Sequence, residues 1–386
     1  MKCVSQAPTD QGLNQDPYPF YDRIRPLGQL VWWEDYDMPV AASHAVVSAL
    51  LRDRRFGREN PYPPAIPKHQ AAFYAVEAHS MLELEPPRHT RLRGLVLRAF
   101  TSRRIKELGP EIEALSHELI DAFPDTPFDL LTEFAQKLPV IIIARLLGVP
   151  EGKAPDLLRW SNAMVRMYMA SRTRADEDAA AQAATDFATY LRSYVEARRA
   201  KPADDLITRL IEAEEDGERL STDELITTCI LLLNAGHEAT VHSLGNGVKT
   251  ALQTGKRPDD PDKFAEEILR YDPPLHMFTR FAMEDIEVFG HSFKKGEEVG
   301  LLLGAANHDP DVYNRPSEFD PERDMPPHTS FGAGLHFCVG APLARLELSI
   351  AVSVLFRRCP DLKLASPPEY ANSYHFHGLT RLMVSQ

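Results

Sequence analysis

Residues 331–341 read Phe331-Gly332-Ala333-Gly334-Leu335-His336-Phe337-Cys338-Val339-Gly340-Ala341 and lead into a helical run from Pro342 to Phe356. Three glycines within nine residues bracket one cysteine. Glycine permits tight turns and close approach by a flat group. A cysteine just before a helix N-terminus meets free amides and the positive end of the helix dipole, and both favour thiolate. A thiolate so placed is a ready metal ligand. The plain alternative is a buried cysteine in a glycine-rich turn.

Other residues are spaced for work on a common partner. His89 and Arg93 stand at i and i+4, which aims both side chains at one point. Arg280 follows Pro273-Pro274 by a short extended segment. An Arg fork and a His donor suit carboxylates, with a surface basic cluster as the simpler alternative. Glu267 and Arg270, at i and i+3, share a helix face; alone they imply no more than a solvated ion pair worth under about 1 kcal/mol. Asn234-Ala235-Gly236-His237-Glu238-Ala239-Thr240 interrupts an apolar helix with a Gly that costs about 1 kcal/mol and a Glu that needs a partner or water if buried.

The motif F-G-x-G-x-H-x-C-x-G-x-x-L-A-R, ending at Arg345, resembles the haem-binding loop of cytochrome P450 enzymes. Further family motifs stand in the family's order. Glu267-Ile268-Leu269-Arg270 is similar to its E-x-x-R, with Arg323 in the place of the third member of a structural triad, and residues 235–239 are similar to its A-G-x-[DE]-T segment. The resemblance implies that Cys338 supplies the axial thiolate to haem iron, whose electron donation favours O–O cleavage. It implies that His89, Arg93, Arg280 and His336 hold the propionates, and that Phe331, Gly332, Gly340 and Ala235 also border the cofactor. It makes Glu238, Ala239 and Thr240 the catalytic stretch over the haem. Here the chain departs from the family, because Ala239 stands where the alcohol belongs and the hydroxyl follows one residue later, about 100° round the helix. An ordered water or a substrate hydroxyl is then expected to complete proton delivery with Glu238.

By family position the substrate pocket is expected at Phe73, Tyr74 and Met81, at Leu232, Leu233, Ala235 and Ala239 on the central helix, at 275–279 with Leu275, His276 and Phe278, and at 376–379 with Phe376 and His377. These are mostly apolar, which implies a small apolar organic substrate, with Asn234, His276 and His377 as orienting groups or as satisfied structural residues. With no flavin or iron–sulfur signature in the chain, electrons are expected from a separate ferredoxin and a ferredoxin reductase that draws on NAD(P)H. The run Arg88, Arg91, Arg98, Arg103, Arg104 either steers such a partner or is a solvated helix face.

The elements that must carry these residues are mostly helical. Phe187, Tyr190, Leu191, Tyr194 and Val195 form the apolar stripe of a surface helix. Leu225 to Ala235 is apolar on nearly every side and starts at a capping box from Ser221 to Glu224, so it reads as a helix through the centre. Strand signals are fewer: Leu30 to Val40, Ile286 and Val288 before Gly290, and Glu298 to Leu303. The stretch Gly245 to Arg270 looks trimmed relative to most of the family. These elements make the fold class mainly α with small β-sheets, and the resemblance implies a cytochrome P450 fold: one large helical domain over residues 1–386 enclosing haem b, iron protoporphyrin IX.

Composition agrees. The 386 residues carry 43 Lys+Arg against 56 Asp+Glu, a net charge of −13, which argues against general affinity for nucleic acid or anionic membrane. Four scattered cysteines make no disulfide framework, and neither a signal peptide nor an apolar span appears, so a reducing cytoplasm is the expected home. Neither G-x-G-x-x-G nor a P-loop occurs. The expected activity is insertion of one atom of O2 into the substrate. Rival readings are a peroxide-dependent or non-hydroxylating member of the same family, a hydrolase or transferase with Cys338 as nucleophile and His336 as base, and a haem-binding sensor without turnover.

Overall fold

The computed structural model describes residues 1–169, 171–215 and 217–386. Its axis is one helix, Thr222–Thr254, which opens on the reciprocal capping box of Ser221 and Glu224 and closes at Gly255 in the left-handed region (φ +71°). Its first half is buried nearly all round, as an apolar helix must be when other helices surround it. The helix Arg174–Ala200 packs its Phe187, Leu191 and Val195 stripe inward and starts at a second capping box on Thr173. Pro261–Tyr271 and the helix that follows the cysteine loop, Ala341–Arg358, complete the layer that faces the site. The trimmed stretch is a link from Gly255 to Asp260 with no helix of its own.

A six-stranded sheet lies to one side in the order Lys2–Val4, Val31–Trp33, Met38–Ala41, Glu298–Leu302, Met277–Ala282, Phe56–Gly57. The single strand expected over Leu30 to Val40 is instead a tight hairpin, with Val31 opposite Val40. A turn at Glu34–Tyr36 reverses the chain, and Asp37 closes it at φ +51°, a conformation that Asp tolerates better than most residues. The strand Met277–Ala282 pairs antiparallel with Glu298–Leu302, placing Arg280 opposite Val299. Arg280 shares a face of that strand with Phe278 and Ala282 and is buried.

Candidate active site

The cysteine loop is tied down by backbone geometry. The Cys338 amide donates to the Phe331 carbonyl at 3.0 Å and closes the turn. Gly332 (φ +65°) and Gly334 (φ +69°) take left-handed conformations; a Cβ on Gly334 would lie 2.6 Å from the Leu51 carbonyl oxygen, so side chains are excluded there. Gly340 differs: it is the right-handed cap of Ala341–Arg358, and a Cβ there would meet Cys338 Sγ at an ordinary 3.8 Å. The Phe331 ring lies under the Arg345 guanidinium, 4.6 Å from its carbon. The amides of Gly340 and Ala341 favour the Cys338 thiolate, as the sequence predicts, but burial outweighs them and pushes the thiol above its ordinary value. The thiolate therefore needs a cation to displace its proton.

Around this loop the cationic residues converge. The His89 and His336 rings meet at a tilt of 52°, with centroids 4.4 Å apart. Arg93 Nη2 donates to the Phe337 carbonyl at 2.6 Å. Arg280 is 2% exposed and gives one hydrogen bond to the Thr279 carbonyl; burial and the neighbouring Arg58 push it down to about 9. His89 is buried, its Nδ1 has no partner, and burial with the charges of His336 and Arg93 pushes it down to about 4. His336 differs from the other three, because Glu85 Oε1 already sits 2.9 Å from its Nε2. Among the described residues no carboxylate forms an ion pair with Arg93 or Arg280. Buried bases without anions are what a group with two carboxylates would complete. Ala235 is exposed although it lies in the middle of the central helix, and a Cβ on Gly236 would meet nothing closer than 3.9 Å, so an internal space adjoins this face. These residues fit a metal macrocycle that carries carboxylates: Cys338 would ligate its metal and the unpaired bases would hold the acids.

On the central helix the carboxylate expected to need a partner has one. Glu238 Oε1 is 3.2 Å from His242 Nε2, and His237 Nδ1 is 3.7 Å from Oε2. Burial would raise Glu238, but the two imidazoles prevail and its carboxyl lies below the ordinary value. The i, i+4 spacing of Glu238 and His242 was a visible signal that sequence reasoning passed over. Thr240 is a correction: the helix stays regular through it, its hydroxyl donates to the Gly236 carbonyl at 3.0 Å, and it is 5% exposed. It does not replace the alcohol absent at Ala239, which is half-buried on the same side as Ala235.

The expected pocket residues divide. Tyr74, Leu275, Phe278 and Phe376 keep accessible surface, and Leu275 and Phe376 meet in a β-bridge. Asn234 is half-buried, its amide directed to Met164 Sδ at 3.7 Å. Phe73, Met81 and Leu232 lie at the edge of the helical core, and Leu233 is wholly inside it, so Leu233 lines no pocket. For His276 and His377 the structural alternative holds and the orienting role does not. His276 Nδ1 meets Tyr21 Oη at 2.7 Å, and His377 stacks on Tyr370 with Nε2 3.3 Å from Asp272 Oδ1, so both serve a buried polar cluster. The family-implied triad is also buried. Glu267 and Arg270, both with side chains 0% exposed, form two bonds of 2.7 Å, and Arg323 Nε stands 3.6 Å from Glu267 Oε1.

The basic run is mostly spoken for. Arg91 pairs with Glu224, Arg103 with Glu107 at 2.9 Å and Arg104 with Asp204 at 3.2 Å.

Comparison with known proteins agrees with this geometry. The family model described as Cytochrome P450 matches residues 262–372. The cytochrome P450 monooxygenase PikC of Streptomyces venezuelae is 37% identical over 383 residues, 93% of this chain and 87% of the relative. The vitamin D(3) 25-hydroxylase of Pseudonocardia autotrophica is 37% identical over 96% of this chain and 94% of its own. Among solved structures, P450BioI in complex with a hexadec-9Z-enoic acid ligated acyl carrier protein superposes with a TM-score of 0.92 at 34% identity, covering 97% of this chain and 99% of that one. PksS of Bacillus subtilis 168 gives 0.89 at 33% identity, covering 98% and 99%. Membership removes the reading of Cys338 as a hydrolytic nucleophile, and the chain belongs to the cytochrome P450 monooxygenases.

Proposed function

We propose that this chain, as one domain, is a haem-thiolate monooxygenase acting on a small, largely apolar organic substrate, with electrons from a separate ferredoxin and its NAD(P)H-dependent reductase. The observation that carries the cofactor assignment is Arg280, a buried guanidinium with no anionic partner among the described residues, together with the buried His89 Nδ1, which has no hydrogen-bond partner. Haem b, when bound, supplies dioxygen activation and oxygen-atom transfer. Cys338 would ligate its iron, and His89, Arg93 and Arg280, with His336 held through Glu85, would hold the propionates. The remaining work falls to the chain. Ala235 and Ala239 keep the helix surface small where the substrate must approach. Glu238, held charged by His242, is the acceptor and donor through which an ordered water or a substrate hydroxyl passes protons in place of the missing alcohol.

Phe337, 39% exposed beside Cys338, is the short route from the surface to the ligand and supports electron entry on this face. Among the described residues no helix is long and apolar enough to cross a membrane, which supports a cytoplasmic setting. The fatty acyl group on the acyl carrier protein in the P450BioI complex supports carrier-bound apolar substrates as members of the same class.

The test is the carbon monoxide difference spectrum of the dithionite-reduced protein. The long-wavelength Soret band of thiolate-ligated haem is expected, and Cys338→His should abolish it. Protein expressed with ample haem precursor that carries no haem would overturn the reading.

A further inference from the structure

Leu275 and Phe376, two residues of the expected pocket, meet in a β-bridge, and behind them lies a run of oxidisable side chains. Tyr21 Oη is 2.7 Å from His276 Nδ1 and 2.9 Å from Tyr374 Oη, and all three residues are buried. The Tyr374 ring meets the buried Trp33 edge-on at 5.3 Å between centroids, and Trp33 meets Tyr36 edge-on at 4.8 Å. Tyr36 also lies 6.2 Å from Tyr374. It is half-buried and ends the turn Glu34–Tyr36, whose Glu34 and Asp35 are exposed. His276 follows Leu275 in the chain, and Tyr374 stands two residues before Phe376. The series therefore runs from the back of the pocket to the protein surface through consecutive contacts.

Its inner end is arranged to lose an electron together with a proton. Taking an electron from a phenol makes the O–H strongly acidic, and inside a core the proton can leave only to a base already hydrogen-bonded to that oxygen. Among the described residues Tyr374 Oη has no hydrogen-bond partner except Tyr21, so its hydrogen goes to Tyr21 Oη and the Tyr21 hydrogen is left to point at His276. Burial pushes His276 well below its ordinary value, which keeps the imidazole neutral and its Nδ1 lone pair ready to accept. An Asp272 carboxylate oxygen lies within 4.8 Å of a His276 ring nitrogen, so the imidazolium formed by that transfer faces a negative charge. Tyr313 shows the contrast: it is as deeply buried, but its hydroxyl donates to the Pro327 carbonyl at 3.2 Å, which cannot take a proton.

We propose that Tyr21 and His276 form a redox pair that, with Tyr374, Trp33 and Tyr36, drains oxidising equivalents from the pocket when no substrate is there to take them. This is a one-electron peroxidase activity with a peroxide or peracid as oxidant and a small thiol as reductant at the surface. For each hole, Tyr21 gives one electron towards the pocket and its phenolic proton to His276 Nδ1, leaving a neutral tyrosyl radical. An electron passed inward from Tyr36 through Trp33 and Tyr374 then reduces Tyr21, which takes its proton back from His276. Each peracid makes two holes and leaves as carboxylic acid and water. Two thiols supply the two electrons and two protons and leave as a disulfide. The proposal rests on the monooxygenase reading of the same pocket, which supplies the oxidised centre.

The experiment mixes the ferric, haem-loaded protein with peracetic acid in the absence of substrate, freezes it at once and records the electron paramagnetic resonance spectrum. A protein radical is expected that narrows when ring-deuterated tyrosine is incorporated and loses a hydrogen-bond coupling in D2O, the mark of the proton held by His276. Tyr21→Phe should remove it, and His276→Gln, which keeps a polar group but no comparable base, should remove it too. Added 2-mercaptoethanol should shorten its life in the parent protein, and Tyr374→Phe should blunt that effect. No radical, a radical without the tyrosine and D2O effects, one that survives Tyr21→Phe, or a thiol that acts equally on the parent and on Tyr374→Phe overturns the proposal. The isotope effects need no variant, so a substitution that fails to fold leaves the test standing. The carbon monoxide band separates the failures: a normal band without this radical defeats this inference alone, whereas a missing band in the parent protein defeats the cofactor reading beneath it.

Discussion

Glu238 keeps its charge in a half-buried place because an imidazole stands one helical turn further on. Its carboxyl lies below the ordinary range, so the pairing stabilises the folded state above the usual carboxylate pKa, and that stability is lost as pH falls through the lowered value. His242→Ala should cost about 1.5–3 kcal/mol at neutral pH, the worth of a hydrogen bond to a charged group, and should move the acid limb of the stability curve to higher pH. Urea unfolding across pH checks both. Gly378 makes the arrangement possible, because a Cβ there would occupy the place of the His242 ring. The neighbouring Ala239 is a different matter. If water or a substrate hydroxyl replaces the alcohol, Ala239→Thr should change turnover and the fraction of electrons lost to peroxide, measured with an oxygen electrode and a peroxide assay. No change in either would leave the peroxide-dependent reading of this site as the better one.

Helix Pro261–Tyr271 turns an uninformative spacing into a structural brace. Arg270 binds Glu267 and also donates to the carbonyls of Asn307, Pro316 and Glu318, at 3.0, 2.8 and 3.1 Å, while the Asp320 amide donates to Glu267 at 2.8 Å. The segment leading to the cysteine loop is thereby hung on one buried ion pair. Removing one partner strands the other in the core, which costs about 3–5 kcal/mol. Glu267→Gln is expected to lower the free energy of urea unfolding by that amount and to release haem at lower denaturant than the parent protein, followed by the Soret band. A substitution that moves neither would mean the pair is dispensable. The sequence showed the i, i+3 spacing, but only the fold shows that both side chains are fully buried.

The whole molecule is closed by a second buried network. Asp272 accepts from Tyr18 at 3.0 Å and from Lys249 at 3.1 Å, with Tyr370 and His377 beside it, so the N-terminal helix, the central helix and the C-terminal loop share one carboxylate. Several histidines elsewhere are buried without charge: His237 is pushed down to about 4 and His308 to about 3, in each case chiefly by burial. A base whose folded pKa is lowered binds its proton more readily when unfolded, so stability is complete above the unfolded value near 6.5 and declines as pH falls toward those lower values. Each such histidine contributes a slope of about 1.4 kcal/mol per pH unit within its window. Unfolding of the haem-loaded protein between pH 7 and 4 should steepen accordingly, and His308→Gln should flatten the curve. A profile that the variant leaves unchanged would show that His308 is not held neutral.

Much of this was legible in the linear chain because local physics decides it. The glycines about Cys338, the capping box at Ser221 and the apolar run after it, the i, i+4 pair of His89 and Arg93, and the Ala239 departure are all short-range patterns. They were enough to indicate the family, the ligand and the central helix. Burial and pairing between distant segments were not legible. Whether Glu267 is solvated or sealed, whether His276 and His377 face a substrate or a polar core, and whether Thr240 turns toward the cavity depend on what packs against each face. Spacing determines what a helix or a loop can present; only the packing of remote elements decides what each presented group meets, and that sets its charge, its partner and its use.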